Sequence, residues 1–273
     1  MITAHDFPSG LAADMAGVDM ILVGDSLAMV ALGLEDTNQV TLEDMIHHCR
    51  ATARGARSAF IVGDLPMGSY EVSTEQAITS ALALIQRGRV AAVKIEGGAE
   101  IAPTIRRLTQ LGIPVLGHVG LTPQRSNSLG GFRVQGKSVS GAHKLLADAQ
   151  ALEEAGVFGM VVEAVPAEVA ELVTSKIGVP TIGIGAGAGT SGQVLVQIDM
   201  LGNYPEGRFM PKFVKQYRNV FRESVGGIEE YVEEVRGGVY PAEEHTYPMK
   251  RETFEAFRKE VEEGGTAGKG EKQ

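Results

Sequence analysis

The chain is expected to fold as a single (β/α)8 barrel, an α/β architecture, and three observations carry that expectation. Its 273 residues match one such barrel, which runs to about 250 residues. Apolar strand-like runs alternate with amphipathic helical stretches up to about residue 200, the pattern of parallel βα units. Eight such units can be counted, and eight favour a closed cylinder over an open doubly wound sheet.

The strand candidates are Ile2–His5, Val18–Gly24, Ala59–Asp64, Val90–Glu96, Pro114–Val119, Gly159–Glu163, Pro180–Ile184 and Leu195–Asp199. Each is near-continuously apolar, as strands buried on both faces should be. Helices are expected over Leu42–Arg54, Glu75–Arg87, Ile101–Leu111, His143–Ala155 and Ala167–Ile177. Gly17, Gly55, Gly88, Gly112, Gly156 and Gly178 follow helical stretches, where a left-handed C-cap prefers glycine. Gly120–Gly141 is a long Gly/Ser/Gln connection, and loops of that length are usually functional, so it reads as a mobile lid. Arg208–Arg236 reads as an outer helix pair, and the stretch from Lys259 as a disordered tail with too few apolar residues to bury a core. The expected division is one barrel domain over residues 1–247 and a charged extension over 248–273.

Composition narrows the function. A formal charge of −9 argues against nucleic acid or a membrane surface as partner, since both need a basic face. No apolar run is long enough to span a bilayer. The single cysteine, Cys49, excludes an intramolecular disulfide and a thiolate metal cage. Neither a signal peptide nor an Arg-rich transit segment is visible, yet the chain opens directly in a strand-like run, which leaves room for an upstream leader.

In a barrel the reactive groups sit at the carboxyl ends of the strands, and polar residues recur there. The second strand ends V-G-D-S (Asp25, Ser26), the third V-G-D-L-P (Asp64) and the fourth V-K-I-E-G-G (Lys94, Glu96). The fifth ends L-G-H-V-G (His118) and the sixth V-V-E-A-V-P (Glu163). Lys94 and Glu96 are two apart and therefore share one face of the strand; taken alone they could be a structural ion pair. Four carboxylates converging on one pocket repel one another unless a cation or a proton intervenes. All are oxygen donors, which favours Mg²⁺ over Zn²⁺. Asp25 and Asp64 are the expected direct ligands, with Glu96 in support.

A magnesium ion holding a 2-oxo acid would acidify the carbon beside the ketone by stabilising the enolate oxygen. Lys94 and Ser26 would then contact the substrate, and Glu163, apart from the metal-side carboxylates, is the candidate base. His118 has two readings, a substrate contact or a core histidine donating to a backbone carbonyl. His47, His48 and Cys49 are adjacent on a helix and splay apart, which disfavours a metal site there. Gly183–Gly189 lacks the spacing of a dinucleotide fingerprint, and Glu243, Glu244 and His245 can be surface residues.

Taken together, V-G-D-S at Val23–Ser26, D-L-P at Asp64–Pro66, V-K-I-E-G-G at Val93–Gly98, G-H-x-G-L-T-P-Q at Gly117–Gln124, V-Q-G-K at Val134–Lys137, I-G-I-G-A-G at Ile182–Gly187 and E-E-H at Glu243–His245 resemble the ketopantoate hydroxymethyltransferase family. The resemblance runs from Thr3 to about Tyr247. It implies a barrel of the phosphoenolpyruvate/pyruvate type in which 5,10-methylenetetrahydrofolate donates a one-carbon unit to 3-methyl-2-oxobutanoate, giving 2-dehydropantoate on the route to pantothenate and coenzyme A. The family's magnesium positions fall on Asp25, Asp64 and Glu96, its substrate contacts on Asp25, Ser26, Asp64 and Lys94, and its proton acceptor on Glu163. It also implies a homo-oligomer, a decamer of two stacked pentamers. The resemblance is closer to fungal than to bacterial members, which implies mitochondrial matrix or cytoplasm. Three departures stand out: a further N-terminal helical segment is absent, His5 replaces a common tyrosine, and Ser191 replaces a common aspartate. The alternatives are a Mg-dependent carbon–carbon lyase of the isocitrate lyase-like superfamily, which would need a cysteine in a K-K-C-G-H context, and a non-catalytic barrel.

Overall fold

The computed structural model describes residues 1–205 and 207–264. Its first unit, Met1–Phe221, is an eight-stranded parallel sheet in the order β1 to β8. The strands are β1 (Ile2–Thr3), β2 (Met20–Val23), β3 (Phe60–Asp64), β4 (Ala92–Glu96), β5 (Val115–Gly120), β6 (Gly159–Glu163), β7 (Thr181–Ile184) and β8 (Gly192–Gln193). The ends of the sheet meet: the Thr3 N–H donates to the Leu195 carbonyl at 3.2 Å and the Met1 ammonium to the Gln193 carbonyl at 3.1 Å. Closure removes both sheet edges and makes the expected (β/α)8 barrel.

Helices α1 (Phe7–Met15), α2 (Leu27–Val30), α3 (Leu42–Gly55), α4 (Thr74–Ala83), α5 (Ala102–Gln110), α6 (Ser126–Leu129), α7 (Val139–Glu154), α8 (Ala167–Lys176) and α9 (Gln197–Leu201) connect and surround the strands. Their starts are set locally. Asp6 and Ser9 form a capping box on α1, Thr41 and Asp44 another on α3, and Ser73 caps α4, each satisfying amide donors that the first helical turn leaves free.

Strand periodicity divides the apolar residues into two cores. Leu22, Val62, Ala92, Leu116, Val161, Ile182 and Val194 fill the cylinder, one residue from each of seven strands or strand ends. Ile21, Val23, Val93, Ile95, Val115, Val119, Met160 and Val162 face outward and pack under the helices with Ile105, Leu108 and Leu152. Because successive side chains alternate between faces, Asp64, Lys94, Glu96, His118 and Glu163, which stand two or four places beyond interior residues, point into the mouth of the cylinder.

Several local expectations are corrected. Leu195–Asp199 is not the eighth strand; that strand is Gly192–Gln193, and Gln197–Leu201 is helical. Its apolar run misleads because Ile198 is buried by a helix instead. Gly17, Gly112 and Gly156 take positive φ, but Gly55, Gly88 and Gly178 do not. Gly55 is needed for close approach, since a Cβ there would run into the Phe7 carbonyl oxygen of α1. After Gly88 the left-handed position is Arg89, φ 63°.

The second unit begins at Arg222. Within it lie most of α10 (Val220–Gly237) and α11 (Arg251–Gly264), with no buried side chain in either helix. The expected helix pair over Arg208–Arg236 is therefore one helix, and residues 208–219 contain none. The stretch from Lys259 to Gly264 is helical rather than disordered, carrying i,i+4 pairs such as Arg258–Glu262 and Lys259–Glu263 that support a solvated helix; residues 265–273 lie outside the described ones. No described helix is long and apolar enough to cross a membrane.

Candidate active site

The carboxyl ends of β2 to β6 and the loop after β5 build the site. Asp64 pairs in register with Lys94, and Glu96 with His118. Register places Asp64 Oδ1 2.8 Å from Lys94 Nζ and Glu96 Oε1 3.4 Å from His118 Nδ1. Along β4 itself, Lys94 Nζ is 3.6 Å from Glu96 Oε1. The other imidazole nitrogen, Nε2, stands 3.3 Å from Glu163 Oε2. A continuous chain of charged groups thus crosses four strands.

Asp25 joins it from the turn after β2. Its backbone N–H donates to Asp64 Oδ2 at 3.0 Å, and its own Oδ2 accepts from Gln124 Nε2 at 2.8 Å. Ser26 begins the short helix α2 and makes no side-chain cap there. Glu163 is followed by Ala164 at φ 47°, a left-handed backbone that costs a non-glycine residue about 1 kcal/mol. Two bonds hold that turn: Ala164 N–H to the Ile184 carbonyl at 2.9 Å and Gln135 N–H to the Ala164 carbonyl at 2.8 Å. Gly120 opposite has φ 92°, and a Cβ there would strike the Glu163 carbonyl oxygen, so glycine is what lets β5 come this close to the end of β6.

Asp25, Asp64, Lys94, Glu96 and His118 are each at most 4% exposed, whereas the Glu163 side chain is 15% exposed. Burial, together with the charges of Asp64 and Glu96, pushes the Asp25 carboxyl well above the usual carboxylate range. Burial also works to raise Glu96, but the charges of His118 and Lys94 outweigh it and hold that carboxyl low. Lys94 keeps its proton because Asp64, Glu96 and Asp25 overcome the desolvation that would remove it. For His118, burial opposes the charge, Glu96 restores it, and the imidazole is pushed up to about 9.

The expectation that His118 is a core histidine bonded to a backbone carbonyl is thus replaced: both ring nitrogens face carboxylates. Glu243, Glu244 and His245 lie in the second unit, exposed. Cys49 is buried on α3 against the outer face of β3, where a Cβ on Gly63 would sit 3.0 Å from its Sγ.

Whether a cation fits can be judged from charge. Four carboxyl groups (Asp25, Asp64, Glu96, Glu163) gather around two basic side chains (Lys94 and His118), an excess of acidic oxygen donors that suits a divalent ion. Among the described residues no three His, Cys, Asp or Glu side chains already stand as a ligand cluster; Lys94 and Gln124 occupy oxygens between them. Sequence reasoning did not single out two members of this site, Gln124 and Tyr70. Gln124 closes the G-H-x-G-L-T-P-Q motif, which was the available signal; Tyr70 carried none.

A closed parallel barrel with a buried acid–base cluster at the carboxyl ends of its strands defines a (β/α)8-barrel enzyme. The chain belongs to the ketopantoate hydroxymethyltransferase family, whose profile matches residues 1–243. It is 65% identical over 263 residues to the 3-methyl-2-oxobutanoate hydroxymethyltransferase of Emericella nidulans, an alignment covering 96% of this chain and 75% of that protein. Among solved structures, 2,3-dimethylmalate lyase, a PEP mutase/isocitrate lyase superfamily member, aligns with TM-score 0.56 at 16% identity over 98% of this chain and 92% of that one. Phosphonopyruvate hydrolase in complex with oxalate and Mg²⁺ aligns with TM-score 0.57 at 15% identity over 98% and 93%. At such identities the likeness shows the fold alone, a (β/α)8 barrel.

Proposed function

We propose that the chain transfers a hydroxymethyl group to 3-methyl-2-oxobutanoate, with 5,10-methylenetetrahydrofolate and water supplying the one-carbon unit, to give 2-dehydropantoate and tetrahydrofolate. The observation that carries this reading is the side-chain path from Asp64 through Lys94, Glu96 and His118 to the partly exposed Glu163 carboxylate, joined at its start by the backbone N–H of Asp25. Asp25 and Asp64, supported by Glu96, would hold Mg²⁺, which when bound supplies Lewis-acid stabilisation of the substrate's enolate oxygen. Lys94 adds fixed positive charge beside the same oxygens, and Ser26 offers a hydroxyl to the substrate carboxylate. Glu163 removes the proton at C3, and His118, 3.3 Å away, holds that carboxylate in place. C3 then bonds to the one-carbon unit under the segment over residues 120–141; both C–N bonds of that carbon break, water supplies the hydroxyl oxygen, and the two folate nitrogens take up the proton from C3 and one from water. The working assembly is a homo-oligomer, a decamer on the family's pattern, with the barrel and its outer helices over residues 1–247 as its repeating domain.

The lyase alternative is disfavoured by Cys49, which packs behind the sheet instead of at the mouth. The test is hydrogen exchange. With 3-methyl-2-oxobutanoate, Mg²⁺ and D₂O, and no folate, the C3 proton should exchange; Glu163→Gln should abolish exchange while substrate still binds. Full exchange in Glu163→Gln would remove Glu163 as the base.

A further inference from the structure

Gln124 is 2% exposed and Tyr70 2% exposed, and neither has a part in the acid–base path above. Yet Gln124 touches three of the strand ends that form it. Its Nε2 donates to Asp25 Oδ2 at 2.8 Å and to the Leu65 carbonyl at 3.0 Å, and its backbone N–H donates to Glu96 Oε2 at 3.1 Å. Its Oε1 accepts from the Tyr70 hydroxyl at 2.5 Å.

The amide's orientation is decided by chemistry. The Leu65 carbonyl can only accept, so the group facing it must be the NH₂, and the oxygen must then face Tyr70. Both NH₂ hydrogens are spent, one on Asp25 and one on the backbone just past Asp64. Flipping the amide would set oxygen against the Leu65 carbonyl, so that carbonyl fixes the orientation, and the Tyr70 hydroxyl, which also lies 3.4 Å from the Glu96 carbonyl oxygen, adds the hydrogen bond that locks the amide oxygen in place. The lock lies at the root of Gly120–Gly141 and joins that segment to the carboxylate cluster.

We propose that Gln124, locked by Tyr70, is a positioning residue that occupies Asp25 Oδ2 and so presents the remaining Asp25 oxygen to a divalent cation in a single-oxygen mode. A carboxylate free to rotate could offer both oxygens to a cation or turn away to relieve repulsion from Asp64 and Glu96. The amide prevents both by taking one oxygen and anchoring it to the Leu65 backbone. This role rests on the hydroxymethyltransferase reading for the cation's purpose, but not for its geometry.

The test uses the full chain and Mn²⁺ as the probe, with binding read by electron paramagnetic resonance in the absence of substrate. Two variants are compared with wild type, Gln124→Met, which keeps volume and removes the amide, and Tyr70→Phe, which leaves the amide and removes its lock. Gln124→Met is expected to weaken Mn²⁺ binding roughly tenfold or more and to lower kcat more than it raises KM, the pattern of lost transition-state organisation. Tyr70→Phe should shift both readouts in the same direction by roughly two- to fivefold, the cost of one freed hydrogen bond. Should Gln124→Met fail to fold, Tyr70→Phe decides alone. The proposal is overturned if the folded variants bind Mn²⁺ as wild type does, or if they lose only melting temperature, which is what a purely structural glutamine would do. If wild type binds Mn²⁺ but does not exchange the C3 proton, the functional reading fails while the positioning role stands or falls on the affinities.

Discussion

Replacing Lys94 by methionine removes the ammonium that stands between two buried carboxylates. Lys94 is 4% exposed and its partners Asp64 and Glu96 are 2% and 1% exposed, at 2.8 and 3.6 Å. The side-chain volume is nearly kept, so the loss is electrostatic. Taking one partner from a buried ion pair costs about 3–5 kcal/mol, because the charge left behind has neither water nor a counter-ion. At about 2–4 °C per kcal/mol for a domain of this size, the melting temperature should fall by roughly 6–20 °C. Turnover should fall by about 10²–10³, the usual loss for one group that stabilises developing negative charge. The assay is urea and thermal unfolding of both proteins, with and without Mg²⁺. Saturating Mg²⁺ should return part of the stability to the variant, since the ion binds only the folded protein and supplies the missing charge. Adding Asp64→Asn to Lys94→Met should also return part of it, a coupling that independent sites would not show. A variant within about 0.5 kcal/mol of wild type, the range of an ordinary surface change, would refute the reasoning.

Two further outcomes follow from the same electrostatics. Asp25→Asn should stabilise the metal-free protein at pH 7–8 by about 0.5–2 kcal/mol while abolishing Mg²⁺ binding, the exchange of function for stability expected at a strained site. The sign follows from the raised Asp25 pKa: its ionised form is the disfavoured one when folded, so stability is lost as pH rises through that pKa. For His118, raised to about 9 from 6.5, the contribution is complete below about pH 6.5 and disappears as pH climbs through 9, a loss of at most about 3 kcal/mol at 1.36 kcal/mol per unit. Urea midpoints measured from pH 6 to 10 should fall across that window in wild type, and the slope should flatten in His118→Gln.

The barrel was legible because β2 to β7 are largely buried and each contains enough β-branched residues to stand out between helices. Alternation along β4 likewise puts Lys94 and Glu96 on one face from the sequence alone, and the interior residues Ala92 and Leu116 below them obey the same period. The eighth strand was misplaced for a physical reason. With two residues in Gly192–Gln193, it carries no apolar run, while the run that follows belongs to the closing hydrogen bond at Leu195 and to α9. Gln124 and Tyr70 escaped notice because they reach the site from loops, where no periodicity reports direction. The roles of His118 could not be separated from sequence, since a strand-end histidine says nothing about which carboxylates flank it. The stretch from Lys259 has few apolar residues, and its helix is supported instead by charge pairs along α11.

The most direct measurement is a crystal structure with Mg²⁺ and 3-methyl-2-oxobutanoate bound. Single oxygens of Asp25 and Asp64 should lie about 2.0–2.1 Å from the ion, with Glu163 facing C3 of the substrate across the pocket. An ion held elsewhere, or a substrate whose C3 points away from Glu163, would contradict the account.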